Sequence, residues 1–243
     1  REYHTGSYDR HRMNGEPESI EDAFGTGVHL TLVHESDMLP TLEQHFWIYE
    51  GAPFYLTQLV AVHKTRIRLN RMTVLRCGQL SFGPAVDMDK EDELTVLRVP
   101  YDNDKWVRYE TQTAPLRTES YEVTALFRPR SRQGIVAGSL SHDVWKTGIK
   151  IQGEQPGTLD ELELYAGAAG EMTRDFQPHG YVHGTRVASP VVFVGGYDDY
   201  RRGLEAYGRA NATLSPALPW EGGVPVGWNS WSAAMSTLDY DLY

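Results

Sequence analysis

Leu42-Glu43-Gln44-His45-Phe46-Trp47-Ile48-Tyr49 is the stretch on which the reading of this chain turns. Successive side chains of a strand point to opposite faces, so Leu42, Gln44, Phe46 and Ile48 share one side, and Glu43, His45, Trp47 and Tyr49 the other. The second side is half aromatic. Both faces therefore have apolar surface to bury, as a strand inside a sandwich does. Gly51-Ala52-Pro53 then ends the run with turn chemistry, and a new apolar run begins at once in Phe54–His63, FYLTQLVAVH.

The same reading extends in both directions. Upstream, Val28–His34 (VHLTLVH) alternates and then turns apolar. Downstream, Thr65–Leu75, Glu93–Val99, Tyr121–Phe127, Gly134–Leu140, Val144–Gln152 and Leu162–Ala166 carry strand patterns. Between them stand Asp102-Asn103-Asp104, Pro129-Arg130-Ser131 and the segment from Gly153 to Gly157, all turn formers. About nine strands with no helical period between them predict an all-β fold, a large antiparallel β-sandwich.

The pattern changes after Phe193. Gly195-Gly196 is expected to break the strand, with Asp198 capping a helix that runs to about residue 210. Tyr200, Leu204 and Tyr207 would share one face of that helix. Pro216, Pro219, Gly222 and Gly223 then read as a stiff linker, and Val224–Trp228 as a short buried strand. The expected organisation is a sandwich with its closing helix over residues 1–212, a linker over 213–223, and a first strand and stub of a further domain over 224–243.

Composition limits the function classes. The formal charge is −10, from 23 Lys and Arg against 33 Asp and Glu, which argues against nucleic acid as a partner. Arg128-Pro129-Arg130-Ser131-Arg132 is the local exception and reads as a solvated turn. No run approaches the roughly 18 apolar residues that cross a bilayer, so no membrane partner is expected. Arg1–Pro17 lacks the apolar core of a signal peptide, and the chain opens on Arg, which leaves room for an upstream segment. The single cysteine, Cys77, reads as a small buried residue; it fits reducing and oxidising compartments alike, so localisation is open.

The most informative motif is Gly227-Trp228-Asn229-Ser230-Trp231, two Trp around an Asn-Ser turn after an apolar strand. Indole rings dock the C–H faces of sugars, and short polar groups meet their hydroxyls. In a (β/α)8 barrel, the C-terminal end of a strand is the active-site face. A Trp-rich corner packed on the sandwich would look the same from spacing alone.

GWNSW resembles the first-strand motif of the α-galactosidase clan, glycoside hydrolase families 27 and 36. Three upstream segments are similar to the amino-terminal domains of the family 36 type. They are Ser139–Gly148 (SLSHDVWKTG), Val194–Tyr200 (VGGYDDY) followed by Gly203–Gly208 (GLEAYG), and Glu21–Gly27 (EDAFGTG). The resemblance implies a galactose-mutarotase-like β-supersandwich in front of a catalytic (β/α)8 barrel, with two Asp on later barrel strands as nucleophile and acid/base. Asp239 and Asp241 lie too early to be either, so this chain alone is expected to be inactive. The implied partners are an α-galactoside or related oligosaccharide and the missing barrel, with a homo-oligomer left open and no cofactor. Trp228, Asn229 and Trp231 carry over as sugar-subsite lining. Ser232-Ala233 stands where many relatives have a larger or charged residue, which leaves the sugar open.

Other clusters are weaker. His142 and Asp143, with Trp145 and Lys146, could shape a site entrance or form a packing network between the sandwich and the barrel; packing is the simpler reading. His179 and His183 sit too far apart on an extended chain, roughly 13 Å, to share one zinc, and no metal is expected. Ser139 and Ser141 near His142 lack a nucleophile elbow. Gly25-Thr26-Gly27 reads as a turn, and Asn211-Ala212-Thr213 as a glycosylation sequon. The rival function is a stand-alone carbohydrate-binding sandwich using exposed Trp47, Tyr49 or Trp106.

Overall fold

The computed structural model describes residues 4–81, 92–101, 108–155, 157–168, 180–224, 226, 227, 231, 235–237 and 239. Among these, fifteen strands and one α-helix form. The first eight strands are β1 Arg10–Met13, β2 Glu18–Asp22, β3 Gly25–Glu35, β4 Thr41–Tyr49, β5 Phe54–Leu69, β6 Met72–Ser81, β7 Thr95–Arg98 and β8 Glu110–Thr113. They are followed by β9 Leu116–Tyr121, β10 Val123–Phe127, β11 Gly134–Ser139, β12 Thr147–Gly153, β13 Thr158–Ala166, β14 Val182–Ala188 and β15 Val192–Tyr197, and then by helix α1, Tyr200–Leu214.

The strands make two antiparallel sheets. The large one runs β1-β3-β4-β5-β15-β11-β10-β7-β8, with β2 beside β3 and β14 beside β5; the small one runs β6-β13-β12-β9. The sixteen residues of β5 are long enough to serve β4 along one edge and β15 then β14 along the other. Four connections between the sheets lie wholly within the described residues. They are Asn70-Arg71 between β5 and β6, Ala114-Pro115 between β8 and β9, Glu122 between β9 and β10, and the segment from Leu140 to Lys146 between β11 and β12.

Alternation along the strands builds two cores, one on each side of the large sheet. Between the sheets, Leu59, Val96, Leu126, Ala137 and Val192 meet Val74, Ile149, Ile151, Leu162 and Leu164. On the outer side, Tyr49, Leu56, Ala125, Phe127, Val136 and Phe193 are covered by helix α1 through Tyr200, Leu204 and Tyr207. Each fully buried aliphatic side chain contributes on the order of 1.5–3 kcal/mol. The helix lies close because Gly203 carries no side chain: a Cβ there would stand 2.7 Å from Val136 Cγ2 and 2.7 Å from Tyr197 Cδ2.

The all-β sandwich with a closing helix is therefore the fold, and several local expectations are corrected. Phe54–His63 and Thr65–Leu75 are not separate strands: β5 runs on through Lys64 and pairs with β14 on both sides of an irregularity between Gly184 and Arg186, and the break falls at Asn70-Arg71. Gly195-Gly196 does not end a strand but lies inside β15, because a Cβ on Gly195 would meet Tyr197 Cε2 at 2.7 Å and Phe54 Cβ at 2.9 Å. Gly25-Thr26-Gly27 opens β3 rather than making a free turn. The helix is capped by Asp199, whose side chain accepts from the backbone of Arg201, and it extends to Leu214. Within the basic turn, Arg128 is buried and donates to the Asp92 carbonyl. Cys77 is half-buried on β6. Of the expected strand over 224–228, Pro225 and Trp228 lie outside the described residues, and Val224 and Val226 stand almost wholly exposed, at 90% and 98%.

Candidate functional site

Two of these inter-sheet connections, Glu122 itself and the segment from Leu140 to Lys146, come together beside the end of helix α1. Its φ of 64° is a left-handed conformation that costs a non-glycine residue on the order of 1–3 kcal/mol. The corner holds because its carboxylate is gripped from several sides. Ser139 Oγ donates to it at 2.6 Å, His142 Nδ1 at 3.0 Å and the Thr147 backbone N–H at 3.3 Å, while Lys146 Nζ stands 3.5 Å away. Hydrogen bonds from His142 and Ser139, with the Lys146 charge, outweigh the cost of burial and hold the Glu122 carboxyl below its ordinary range.

His142 links this corner to the helix. Its Nε2 lies 3.0 Å from Asn211 Oδ1, and the Asn211 amide is oriented by donating Nδ2–H to the Tyr207 carbonyl at 3.1 Å. Nδ1 faces a carboxylate and Nε2 faces an amide oxygen, both acceptors, so the surroundings favour the protonated ring, in which both nitrogens donate. The hydrogen bond to Glu122 first, and that to Asn211, accordingly raise the His142 pKa against the opposing effect of burial. Tyr207 completes the connection by donating to the Ser139 carbonyl at 2.8 Å, and burial chiefly pushes its phenol up to about 12.

The four residues expected at a site entrance thus divide. His142 and Lys146 converge on Glu122, and the Lys146 ammonium also lies 5.0 Å from the Tyr101 ring centre. Asp143 is exposed on the rim. Trp145 turns inward, is only 8% exposed, belongs to the inter-sheet core and donates Nε1–H to the Ala188 carbonyl at 2.8 Å. Together with Glu122 and exposed Val144 they line a shallow depression of about 470 Å³. Sequence reasoning misses Glu122; its one signal is a lone acid in the otherwise uncharged run Tyr121–Phe127.

The network ties a sheet corner to the end of the helix. Ser139 Oγ donates to Glu122 and not to His142, and Ser141 Oγ accepts from the Val191 backbone, so no hydrolytic triad is assembled. Among the described residues no group of three or more His, Cys, Asp or Glu is placed to hold a metal ion. His183 is exposed on β14, whereas its suggested partner His179 lies outside the described residues.

The expected sugar-subsite residues are placed only in part. Trp228 and Asn229 lie outside the described residues; Trp231 is 58% exposed. Asp239 is exposed, and Asp241 is outside. Of the aromatics considered for direct glycan binding, Tyr49 is buried and donates to Asp22, Trp47 is half-buried, and Trp106 is outside. Among the described residues no helix is long and apolar enough to cross a membrane.

Comparison with known proteins gives a likeness of fold. The α-galactosidase from Lactobacillus brevis superposes with a TM-score of 0.51 at 11% identity, over 84% of this chain and 28% of that one. The α-N-acetylgalactosaminidase NagBb from Bifidobacterium bifidum, in complex with GalNAc, gives 0.52 at 16% identity, over 88% and 32%. The glycoside hydrolase family 36 α-galactosidase AgaA from Geobacillus stearothermophilus gives 0.50 at 14% identity, over 79% and 28%. No protein-family model and no curated protein matches the sequence. The chain spans about a third or less of the enzymes it is similar to, and over that span it has the fold of the amino-terminal β-sandwich domain of family 36 enzymes.

Proposed function

We propose that this chain is the non-catalytic amino-terminal domain of an α-galactosidase-like glycoside hydrolase. Its sandwich and closing helix, over residues 1–212, support a (β/α)8 barrel and border its active site; residues 213–223 are the linker, and 224–243 begin the barrel. The parent reaction is retaining hydrolysis of terminal α-galactosyl or related α-glycosyl bonds, with an oligosaccharide as substrate. The observation that carries this reading is the order of parts along one chain. A sandwich with the fold seen in two α-galactosidases and an α-N-acetylgalactosaminidase is followed by a helix, a Pro- and Gly-rich linker and GWNSW. Trp228, Asn229 and Trp231 then line a sugar subsite, and the His142–Lys146 corner faces the domain junction.

Retaining glycosidases need two carboxyl groups about 5 Å apart across the scissile bond. The carboxylate at the centre of the candidate site, Glu122, is fully occupied in holding a sheet corner. Residues 1–243 alone should therefore leave an aryl α-galactoside intact, whereas the protein from the whole reading frame should hydrolyse it and release the α-anomer of galactose first. Turnover by residues 1–243, or none by the whole protein with any aryl α-glycoside, would sink the reading.

A further inference from the structure

On the outer face of the large sheet, away from helix α1 and the Glu122 corner, two histidines are joined across strands β3 and β4. His29 Nε2 lies 3.0 Å from His45 Nδ1, and the rings are within 5° of parallel. The register that pairs His29 with Trp47 and Thr31 with His45 puts all four side chains on one face. Trp47 lies parallel to both imidazoles, its centre 4.9 Å from that of His29 and 5.7 Å from that of His45. Thr31 Oγ1 touches the shared edge, 3.1 Å from His45 Nδ1 and 3.5 Å from His29 Nε2.

The charges around the pair are arranged at its two ends. Glu18 of β2 places Oε2 at 3.7 Å from His29 Nδ1, and Glu43 of β4 places Oε2 at 3.6 Å from His45 Nε2. Glu43 is itself held by Arg186 of β14 at 2.7 Å. His45 Nε2 is buried and too far from Glu43 for a hydrogen bond, so that contact is electrostatic only.

Two ring nitrogens 3.0 Å apart share one hydrogen: one donates and the other accepts. The neutral pair satisfies this. So does a pair with one added proton, because one imidazolium can donate both to its neighbour and toward its carboxylate. A second added proton sets two N–H groups head to head, and the contact must open.

We propose that the His29–His45 pair is a proton-sensitive clasp on the edge of the large sheet, holding β2, β3 and β4 together with up to one added proton and releasing them with a second. The direction at His45 agrees: burial first, and the neighbouring His29, lower its pKa below the ordinary 6.5, with Glu43 opposing and Arg186 adding to the effect. A histidine that resists protonation when folded but not when unfolded withdraws stability as pH falls below 6.5. Opening would propagate inward, since Trp47 also packs against the cluster that holds Tyr49 and Phe54.

The test is a pH titration by NMR of residues 1–243 and of His45→Gln, following the ring nitrogens and the protection of the backbone amides of β2, β3 and β4. The His45 ring should charge below pH 6.5, and amide protection, corrected for intrinsic exchange, should fall by up to about tenfold per pH unit from 6.5 down to the pH at which the folded ring takes up its proton. His45→Gln should abolish that pH-dependent loss. Simultaneous protonation of both rings near their ordinary value with protection unchanged would overturn the clasp, as would the same loss in the variant. Should the variant not fold, the wild-type titration decides alone.

Discussion

Glu122 is one acid in an otherwise uncharged run, yet it bends the chain from one sheet to the other and ties that bend to the last turns of the helix. Replacing it with Gln keeps the size and removes the charge that His142 and Lys146 face. Hydrogen bonds to charged groups are worth about 1.5–3 kcal/mol when their partner is lost, and a urea denaturation series should show a loss in that range. The pH dependence has a defined sign. His142 has a raised pKa, so its contribution is complete below 6.5 and fades as pH rises through the raised value. Glu122 has a lowered pKa, so its contribution is complete above 4.5 and fades as pH falls through the lowered value. The bridge is therefore strongest between about pH 4.5 and 6.5. His142→Gln should cost more stability at pH 5.5 than at pH 8.5; an equal cost at both would refute the imidazolium.

At the scale of elements, the helix is held by shape as much as by apolar area. At Gly203 an added methyl gains about 1 kcal/mol of helix propensity but collides with Val136 and Tyr197, and overpacking typically costs 1–3 kcal/mol. Because Tyr197 can shift, Gly203→Ala should destabilise only slightly. At Gly138 the same methyl would meet the Glu122 carbonyl oxygen at 2.6 Å as well as Tyr207 Cε2 at 2.9 Å. A backbone atom cannot move aside, so Gly138→Ala should lose about 2–3 kcal/mol. Thermal or urea unfolding of the two variants checks the order; a Gly203→Ala loss equal to that of Gly138→Ala would contradict it. The legibility of the elements follows the same physics. Leu42–Tyr49 is readable because alternation survives where both faces are covered. β1 and β2 are not, because RHRM and ESIED lie at the sheet margin with nearly every side chain exposed. Gly195-Gly196 misleads because glycine serves close packing inside a strand as well as turns. At the site, His142 and Lys146 are recognisable as a cluster, but their common partner Glu122 is twenty residues from His142 in sequence and only the sheet topology joins them.

At the scale of the molecule, several of the most exposed apolar side chains among the described residues follow the helix. Leu218, Trp220, Val224 and Val226 stand 70% to 98% exposed, which fits a segment that a barrel would cover. The competing role, a sandwich that binds glycans by itself, needs aromatic faces open to solvent. Tyr49 is closed and Trp47 is partly covered by histidines. Tryptophan fluorescence of residues 1–243 should therefore show no saturable change during titration with galactose; a saturating curve would favour the binding module.

We propose that this sandwich is the front domain of a hydrolase whose chemistry lies further along the same chain. Reading the source frame for several hundred codons past Tyr243 tests it most directly. Seven further β/α units, with Asp residues at the ends of later strands, are expected. A stop codon shortly after Tyr243, or a continuation without such units, would contradict it.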